Sequence, residues 1–404
     1  MTMKQTQTKY FSFDDTGLDF CTASSSLWMD RFEKMLALGY NEKTVSSVSI
    51  NGATVVFTYS AAHGYAEDRV LKIGGGPLAS INAGEFRIDA VTADTVTMTI
   101  DGAPESITGG FTTKVASLGW EKVYENLSTR VHVFKMQALD ESDLYVRLFY
   151  TPATTVGEIY PCVGNSYDPS TGFIDDPNAL SYTKDIVARS TAQTHVRWVM
   201  ANYSTTTALT NFTYAQGYAG SYNFGRAMIV GSKYHFAILN NMAASDSCHI
   251  GFIQPVYALD YPTLKLPVIF GGNSGTNGMT NTIPRIYCGN IELTLFWASS
   301  SSTIRFPLSP INSYLPSTID PLNTTVAYLP VYREFNTMAP VAMGAGGVFI
   351  ASFLTSNAPT RTSSSSPALM AETDFSHNML VHGAGNSGAS MYCAFPIEEI
   401  KYGN

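Results

Sequence analysis

Apolar and polar residues alternate along much of this chain with the two-residue period of a β-strand, in short runs separated by glycine- and asparagine-containing turns. Clear examples are the runs that begin at Val55, Leu144 and Ile291. Alternation of this kind directs one face of a strand toward a core and the other toward solvent. We therefore predict a mainly β fold whose body is an antiparallel β-sandwich.

One segment near the N-terminus has the spacing of a helix instead. Trp28, Phe32 and Leu36 recur at helical intervals, Ser24–Ser26 can cap the start, and a glycine follows the last apolar residue. A helix with one apolar face needs a larger body to cover it. We predict that residues 1–44 form a short strand and one N-terminal helix that packs on the main body.

Residues 45–115 hold several alternating runs within a short stretch of chain. Asn51 and Gly52 form the dipeptide that favours a two-residue hairpin turn. Gly64, between His63 and an aromatic residue, predicts a turn with positive φ. Short strands at such regular spacing are typical of a small barrel or sandwich. We predict that these residues form a small β-barrel or β-sandwich module inserted into the larger protein.

The rest of the chain divides into two further regions. Residues 116–300 carry the strongest strand patterns and are predicted to form the main β-sandwich body. Residues 301–404 combine a proline-rich connector with a C-terminal β region. The connector carries few apolar side chains, and proline fixes φ and lowers the entropy lost on ordering. We predict that it lies at an intersubunit surface, with Tyr314 and Leu315 as its anchors.

Composition and charge restrict the classes of partner. Only 14% of the residues are charged, while the chain holds 23 tyrosines and 22 phenylalanines, a balance that suits protein interfaces. The formal net charge of −8 argues against a nucleic-acid-binding protein, which would carry a basic surface. No run of eighteen apolar residues occurs, so we expect no membrane insertion through a helix.

The five cysteines are widely spaced and form no Cys-x-x-Cys pair. Their odd number and spacing fit neither a disulfide framework nor a zinc site. The N-terminus lacks the apolar core of a signal peptide. We expect five free, mostly buried thiols in a protein that is made in a reducing cytoplasm.

No pattern in the chain predicts a reaction. The glycine-rich stretch 271–278 lacks the Lys-Ser/Thr pair of a phosphate-binding loop, so we interpret it as a surface connection. The closest histidines, His377 and His382, do not have the spacing of a metal motif, and His63 is expected to bond to local backbone. Adjacent acids such as Asp175 and Asp176 point apart, whereas glycosidases use carboxylates that converge across a cleft. We expect no catalytic residue, no metal site and no cofactor.

The order of several short motifs resembles that of a group of tailed-bacteriophage virion proteins. An N-terminal helix ends in an Ala-Leu-Gly-Tyr sequence, and a His-Gly-aromatic module follows it. The chain then returns through a Gly-Trp-x-Lys-x-Tyr motif and continues into a strand with Arg-Trp. The motifs stand at Ala37–Tyr40, His63–Tyr65, Gly119–Tyr124, Arg197–Trp198 and Asn223–Gly225. The resemblance implies a setting, the virion, and it assigns no functional residues.

From this resemblance and the composition we expect a non-enzymatic structural component of a tailed-phage virion, on the tail, collar or capsid exterior. Its expected partners are further copies of itself, in a symmetric homo-oligomer, and other virion proteins. The alternative is a receptor- or carbohydrate-binding tail protein that contacts a host surface glycan through exposed aromatic rings. A polysaccharide depolymerase is the third candidate.

Overall fold

The computed structural model confirms a mainly β fold with antiparallel sheets and a short helix near the N-terminus. The predicted anchors Tyr314 and Leu315 lie outside the described residues, as does the rest of the proline-rich connector. The structure describes residues 6–152, 156–190, 192, 194–202, 211–219, 227–241, 248–259, 265–271, 285–295, 326–352, 369–372, 378–384, 391–397 and 399–400.

The N-terminal segment supplies two strands and the predicted helix, which has three parts. The strands are β1 (Thr6–Gln7) and β2 (Lys9–Ser12), and the helical parts are a 3-10 turn (Ser25–Leu27), α1 (Trp28–Glu33) and a π turn (Lys34–Leu38). Trp28 and Phe32 are fully buried, as the apolar stripe predicts. The expectation that serines cap the helix is wrong for Ser24, because its hydroxyl bonds to the backbone of Phe212 instead.

Residues 40–115 form a seven-stranded antiparallel sheet. Its strands are β3 (Tyr40–Asn51), β4 (Thr54–Tyr59), β5 (Val70–Ile73), β6 (Glu85–Arg87), β7 (Ala90–Val91), β8 (Thr95–Thr99) and β9 (Thr112–Val115), with a 3-10 segment at Pro77–Gly84. They follow the spatial order β6-β5-β9-β3-β4-β8-β7. Gly64 has a φ of +71°, so the positive φ predicted for it is confirmed.

The next five strands form an antiparallel sheet in which each strand pairs with the one before it. They are β10 (Glu121–Asn126), β11 (Val131–Gln137), β12 (Asp143–Tyr150), β13 (Val156–Gly164) and β14 (Trp198–Asn202). A second short helix that the sequence did not predict, α2 (Tyr214–Ala219), comes after them.

The remaining strands build two more sheets. They are β15 (Ala227–Gly231), β16 (Phe236–Asn241), β17 (Cys248–Gln254), β18 (Val256–Ala258), β19 (Val268–Gly271), β20 (Arg285–Cys288), β21 (Ile291–Thr294), β22 (Val326–Tyr328), β23 (Val331–Glu334), β24 (Pro340–Gly344), β25 (Phe349–Ser352), β26 (Leu369–Glu372), β27 (Asn378–Ala384), β28 (Met391–Pro396) and β29 (Glu399–Ile400). A ten-stranded sheet has the order β18-β24-β23-β21-β20-β19-β17-β16-β15-β2, and a five-stranded one has the order β22-β25-β28-β27-β26. β29 pairs with β1 near the two ends of the chain.

The sheets share one apolar core. Trp198 on β14 stacks on Phe236 of β16 with ring centroids 4.9 Å apart, which packs the first five-stranded sheet against the ten-stranded one. Gly251 on β17 makes this possible, because a Cβ at that position would lie 2.0 Å from the Trp198 ring. Val55 of the seven-stranded sheet belongs to the same continuous buried cluster. Whether residues 45–115 can unfold separately therefore stays a prediction.

Candidate functional site

Exposed apolar side chains concentrate at one end of the ten-stranded sheet. Among the described residues, eight large hydrophobic side chains are exposed, and four of them, between 37% and 46% exposed, are on or directly after β18 and β23. These four are Tyr257, Leu259, Val331 and Phe335. Isolated exposed hydrophobics are ordinary, but several at one edge mark a contact surface.

The strand pairing explains why these side chains lie near one another. Met343 of β24 is opposite Tyr257 on one side and Val331 on the other, so the three side chains share one face of the sheet. Within the part of the chain that the structure describes, β18 is an end strand whose neighbour is β24. An end strand presents backbone donors and acceptors that a strand from another chain can use. We call Leu259, Val331 and Phe335 on this end of the sheet the edge surface.

A pocket of about 360 Å³ adjoins the edge surface. It lies between the β11–β12 turn, residues 138–142, and the chain around β18. Tyr257 lines it and so stands at the boundary between the pocket and the edge surface. The other polar and aromatic groups that line it include Gln137, Asp140, Asn165, Tyr234 and Lys265.

Hydrogen bonds fix the turn at the mouth of this pocket. The amide and the hydroxyl of Ser142 both donate to Asp140, at 3.1 and 2.5 Å, and these bonds lower the pKa of that carboxyl. The next residue, Glu141, has a positive φ of 65° and accepts a 2.5 Å hydrogen bond from the Tyr234 hydroxyl. Two acidic side chains are therefore held in defined positions beside the pocket.

A buried ionic cluster lies elsewhere, between β13 and β14. The carboxylate of Glu158 accepts hydrogen bonds from Arg189, Arg197 and the Tyr160 hydroxyl, at 3.0, 3.3 and 2.8 Å. Glu158 and Arg197 are fully buried, and burial beside Glu158 raises the pKa of Tyr160. Because Glu158 and Arg197 are enclosed, their ion pair ties the start of β14 to β13 and leaves a substrate no open approach to the Glu158 carboxylate.

Three groups with metal-binding chemistry meet at another point. Single ligand atoms of Glu33, Glu125 and His132 lie within 4.8 Å of one another. The ammonium of Lys122 already pairs with both carboxylates, at 2.8 and 2.5 Å, so this cation neutralises the charge that a metal ion would need. Sequence spacing could not reveal the group, because Glu33 is far along the chain from Glu125 and His132.

Four buried histidines and two buried thiols are held in their uncharged forms. Burial lowers the pKa of His132, His249 and His382 to about 4 and that of His235 to about 3. Burial likewise raises the pKa of the Cys162 and Cys288 thiols to about 12. The four cysteines whose side chains the structure describes are free and buried, as predicted.

The structure places the residues that the sequence had singled out as follows. His63 bonds to the backbone of Tyr65 and Thr95, at 2.9 and 3.1 Å, which confirms its expected local role. The assembly role of Tyr314 and Leu315 stays a prediction. The edge surface was missed, although the alternation from Val256 to Leu259 was a signal that a short strand was present.

Comparisons with known proteins leave the family of this chain unassigned. No protein-family model matches the sequence, and no curated protein matches it. None of the helices in the described ranges is long and apolar enough to cross a lipid bilayer. Among solved structures, the chain is similar to one described as phage phi92 endosialidase, at 9% identity over 90% of this chain, with a TM-score of 0.16. The chain spans 52% of that protein's length, and a TM-score this low does not establish a shared fold.

Proposed function

We propose that this protein is a non-enzymatic structural component of a tailed-phage virion, on the tail, collar or capsid exterior. In this proposal several copies assemble by symmetry with one another and with other virion proteins, after synthesis in the host bacterial cytoplasm. The phage setting comes from the resemblance of the motifs between Ala37 and Gly225. The assembly through several copies is supported by the edge surface.

The edge surface is the observation that carries the proposal. It combines an end strand of the described sheet with three half-exposed apolar side chains, Leu259, Val331 and Phe335. Backbone hydrogen bonds supply the affinity for a strand added from another chain, and side-chain contacts select the register in which it binds. When symmetry holds many copies in fixed positions, contacts that are individually weak add up to a stable assembly.

The state of the titratable groups supports a role without catalysis. A general acid or base works best with a pKa near the operating pH. Burial lowers the pKa of His132, His249 and His382 to about 4 and that of His235 to about 3, and it raises the pKa of the Cys162 and Cys288 thiols to about 12. These shifts come first from burial, which is how a folded core perturbs such groups.

Sedimentation velocity over a wide range of protein concentration tests the assembly step. We expect the wild-type chain to self-associate, and Val331→Lys to weaken that association by at least tenfold, because it places a charge in an apolar contact. Leu127→Ser is the matched control, since Leu127 is the most exposed of the large apolar side chains that the structure describes, at 69%, and lies in the β10–β11 turn. A wild-type chain that stays monomeric at every concentration would contradict assembly through this surface.

A receptor- or carbohydrate-binding role is the second candidate function. The specific observation in its favour is the pocket beside Tyr257, because a concave site with an aromatic wall and several polar groups is the usual form of a ligand site. The two roles are compatible in one virion protein, since none of the three residues of the edge surface lines the pocket.

A further inference from the structure

We propose that the pocket between the 138–142 turn and β18 binds a neutral saccharide of one or two pyranose rings. The inference rests on the second candidate function, glycan binding, and names its site and ligand class. The volume of about 360 Å³ is at the lower end of the range of roughly 300–1,000 Å³ for ligand pockets. A pocket of that size suits a short saccharide unit better than a folded partner.

The aromatic part of the pocket supplies a surface for the apolar face of a sugar ring. Tyr257 is 37% exposed while its backbone is paired with β24, so the ring is accessible and its strand is fixed. Tyr234 also belongs to the lining, but it is 2% exposed and its hydroxyl is engaged by Glu141, so Tyr257 is the ring available to the ligand. An amphipathic ring whose body is apolar and whose tip is polar can contact C–H groups and hydroxyls at the same time.

The polar part of the pocket offers both acceptors and donors. Asp140 is an acceptor held by Ser142, Lys265 is a donor, and the amide of Gln137 can do both. Sugar hydroxyls also donate and accept, and a site of this kind rejects ligands that leave its polar groups unpaired. The mixture therefore matches a polyhydroxyl ligand better than an apolar one.

The charges at the mouth favour a neutral sugar over an acidic one. Asp140 and Glu141 lie beside each other in the turn, and Lys265 is the cation that interacts with Asp140. Among the described residues that line the pocket, Asp140 and Lys265 are the charged ones and their charges balance, so an acidic ligand would meet no uncompensated positive charge there. Both acidic groups are fixed by Ser142 and Tyr234, so they are preorganised.

Ligand-observed NMR with a panel of probes tests this proposal on the full-length chain. The panel contains glucose, galactose, N-acetylglucosamine, maltose and lactose as neutral saccharides, and glucuronic acid and sialic acid as anionic ones. We expect at least one neutral saccharide to bind, and Tyr257→Ala to weaken its binding by at least tenfold. Asp140→Asn, a change in an exposed turn that leaves the packed core intact, should weaken it by at least threefold because a fixed acceptor loses its charge.

Tyr182→Ala is the matched control, because Tyr182 is similarly exposed, at 43%, and does not line the pocket. It should change the affinity by less than twofold. All variants are compared at a concentration where sedimentation shows the same association state, since Tyr257 adjoins the edge surface. Unfolding curves establish that each variant is folded.

The outcomes separate the site from the function. If a neutral saccharide binds and neither Tyr257→Ala nor Asp140→Asn weakens it, the pocket assignment is wrong while glycan binding stands. Preferential binding of the anionic sugars overturns the ligand class. If no probe binds to the folded wild-type chain, this inference fails together with the carbohydrate-binding form of the second candidate function.

Discussion

The guanidinium of Arg69 donates two hydrogen bonds to the carboxylate of Asp15, from Nη2 at 2.6 Å and from Nε at 2.8 Å. Both side chains are more than nine-tenths buried. The Tyr40 hydroxyl also donates to Asp15 at 2.6 Å, and Arg69 lies 3.8 Å from the centre of the Tyr10 ring. This pair therefore ties the N-terminal turn to the seven-stranded sheet.

Breaking this pair should be strongly destabilising. In Asp15→Asn the Arg69 guanidinium stays buried, but a neutral amide replaces the carboxylate that balanced its charge. We predict a loss of roughly 3–5 kcal/mol in the free energy of unfolding. Urea denaturation measures it. Asp30→Asn is the control, because the Asp30 side chain, which pairs with Arg31 and Lys34, is 53% exposed, and we expect at most about 1 kcal/mol there. Equal effects of the two substitutions would show that the Asp15 pair does not join these regions.

Gly64 needs to be glycine for two reasons, because its backbone has a positive φ and a side chain there would clash with Thr16. Its φ is +71°, and a Cβ would lie 2.7 Å from the hydroxyl oxygen of Thr16. We predict that Gly64→Val destabilises residues 45–115 and leaves the main body folded, because a β-branched side chain adds a clash to an unfavourable φ. Hydrogen exchange read by mass spectrometry locates the change.

The matched pair for this prediction is Gly64→Ala and Gly102→Ala. Gly102 has a φ of +76° and no atom within 4 Å of the added Cβ, so its substitution reports the backbone cost alone, about 1 kcal/mol. Gly64→Ala should lower the free energy of unfolding by more than Gly102→Ala does, because its Cβ also meets Thr16. If Gly64→Val makes all sheets exchange together, the module does not unfold separately, in keeping with the continuous core.

The helix should depend on Phe32 for its attachment. Phe32 is fully buried, with its ring centroid 5.6 Å from that of Tyr150 and 6.4 Å from that of Phe236. We predict that Phe32→Ala lowers the free energy of unfolding by roughly 3–5 kcal/mol through the lost contacts and the cavity. Thermal unfolding checks it. A variant with wild-type stability would mean that this face of the helix is an assembly surface and not part of the monomer core.

The protein should lose stability in mild acid. The pKa values of His132, His249 and His382 are about 4 and that of His235 is about 3, because burial disfavours the charged imidazolium. An unfolded histidine has a pKa near 6.5, so between pH 6.5 and 4 the unfolded chain binds more protons, and stability falls as pH falls. Each of the four can contribute up to about 3 kcal/mol by pH 4.

Even one such contribution is a large share of the roughly 5–15 kcal/mol by which an ordinary domain is stable. We therefore predict that the free energy of unfolding falls steadily as the pH falls from 6.5 to 4. Urea denaturation at a series of pH values measures the slope. A free energy of unfolding that is flat from pH 6.5 to 4.5 would contradict the burial of these neutral imidazoles.

The sequence predicted the elements whose signal is local. Alternation in the runs around Val55 and Leu144 predicted strands, the stripe through Trp28 and Phe32 predicted the buried helix, and Gly64 predicted a positive φ. Each of these depends on residues within one element, where side-chain period and backbone chemistry decide the structure. The cap expected from Ser24 failed because a distant backbone, that of Phe212, competes for its hydroxyl.

The candidate site could not be predicted in the same way. The pocket brings the turn at Asp140 next to Tyr257, and the ionic cluster joins Glu158 to Arg197. These neighbours depend on which sheets pack together and in what register, and a single sequence without an alignment carries little information on such long-range pairing. The exposure of Val331 could not be predicted either, because a valine in a strand gives the same sequence pattern whether its side chain is exposed or buried.

Quantitative mass spectrometry of purified intact phage particles tests the proposal that the protein is a multicopy structural part of the virion. Peptides of this chain should be recovered from the particles in several copies relative to a virion protein of known number. They should remain after salt washing that removes loosely attached proteins. Absence of the chain from intact particles, together with its presence in the infected-cell lysate, would contradict the claim.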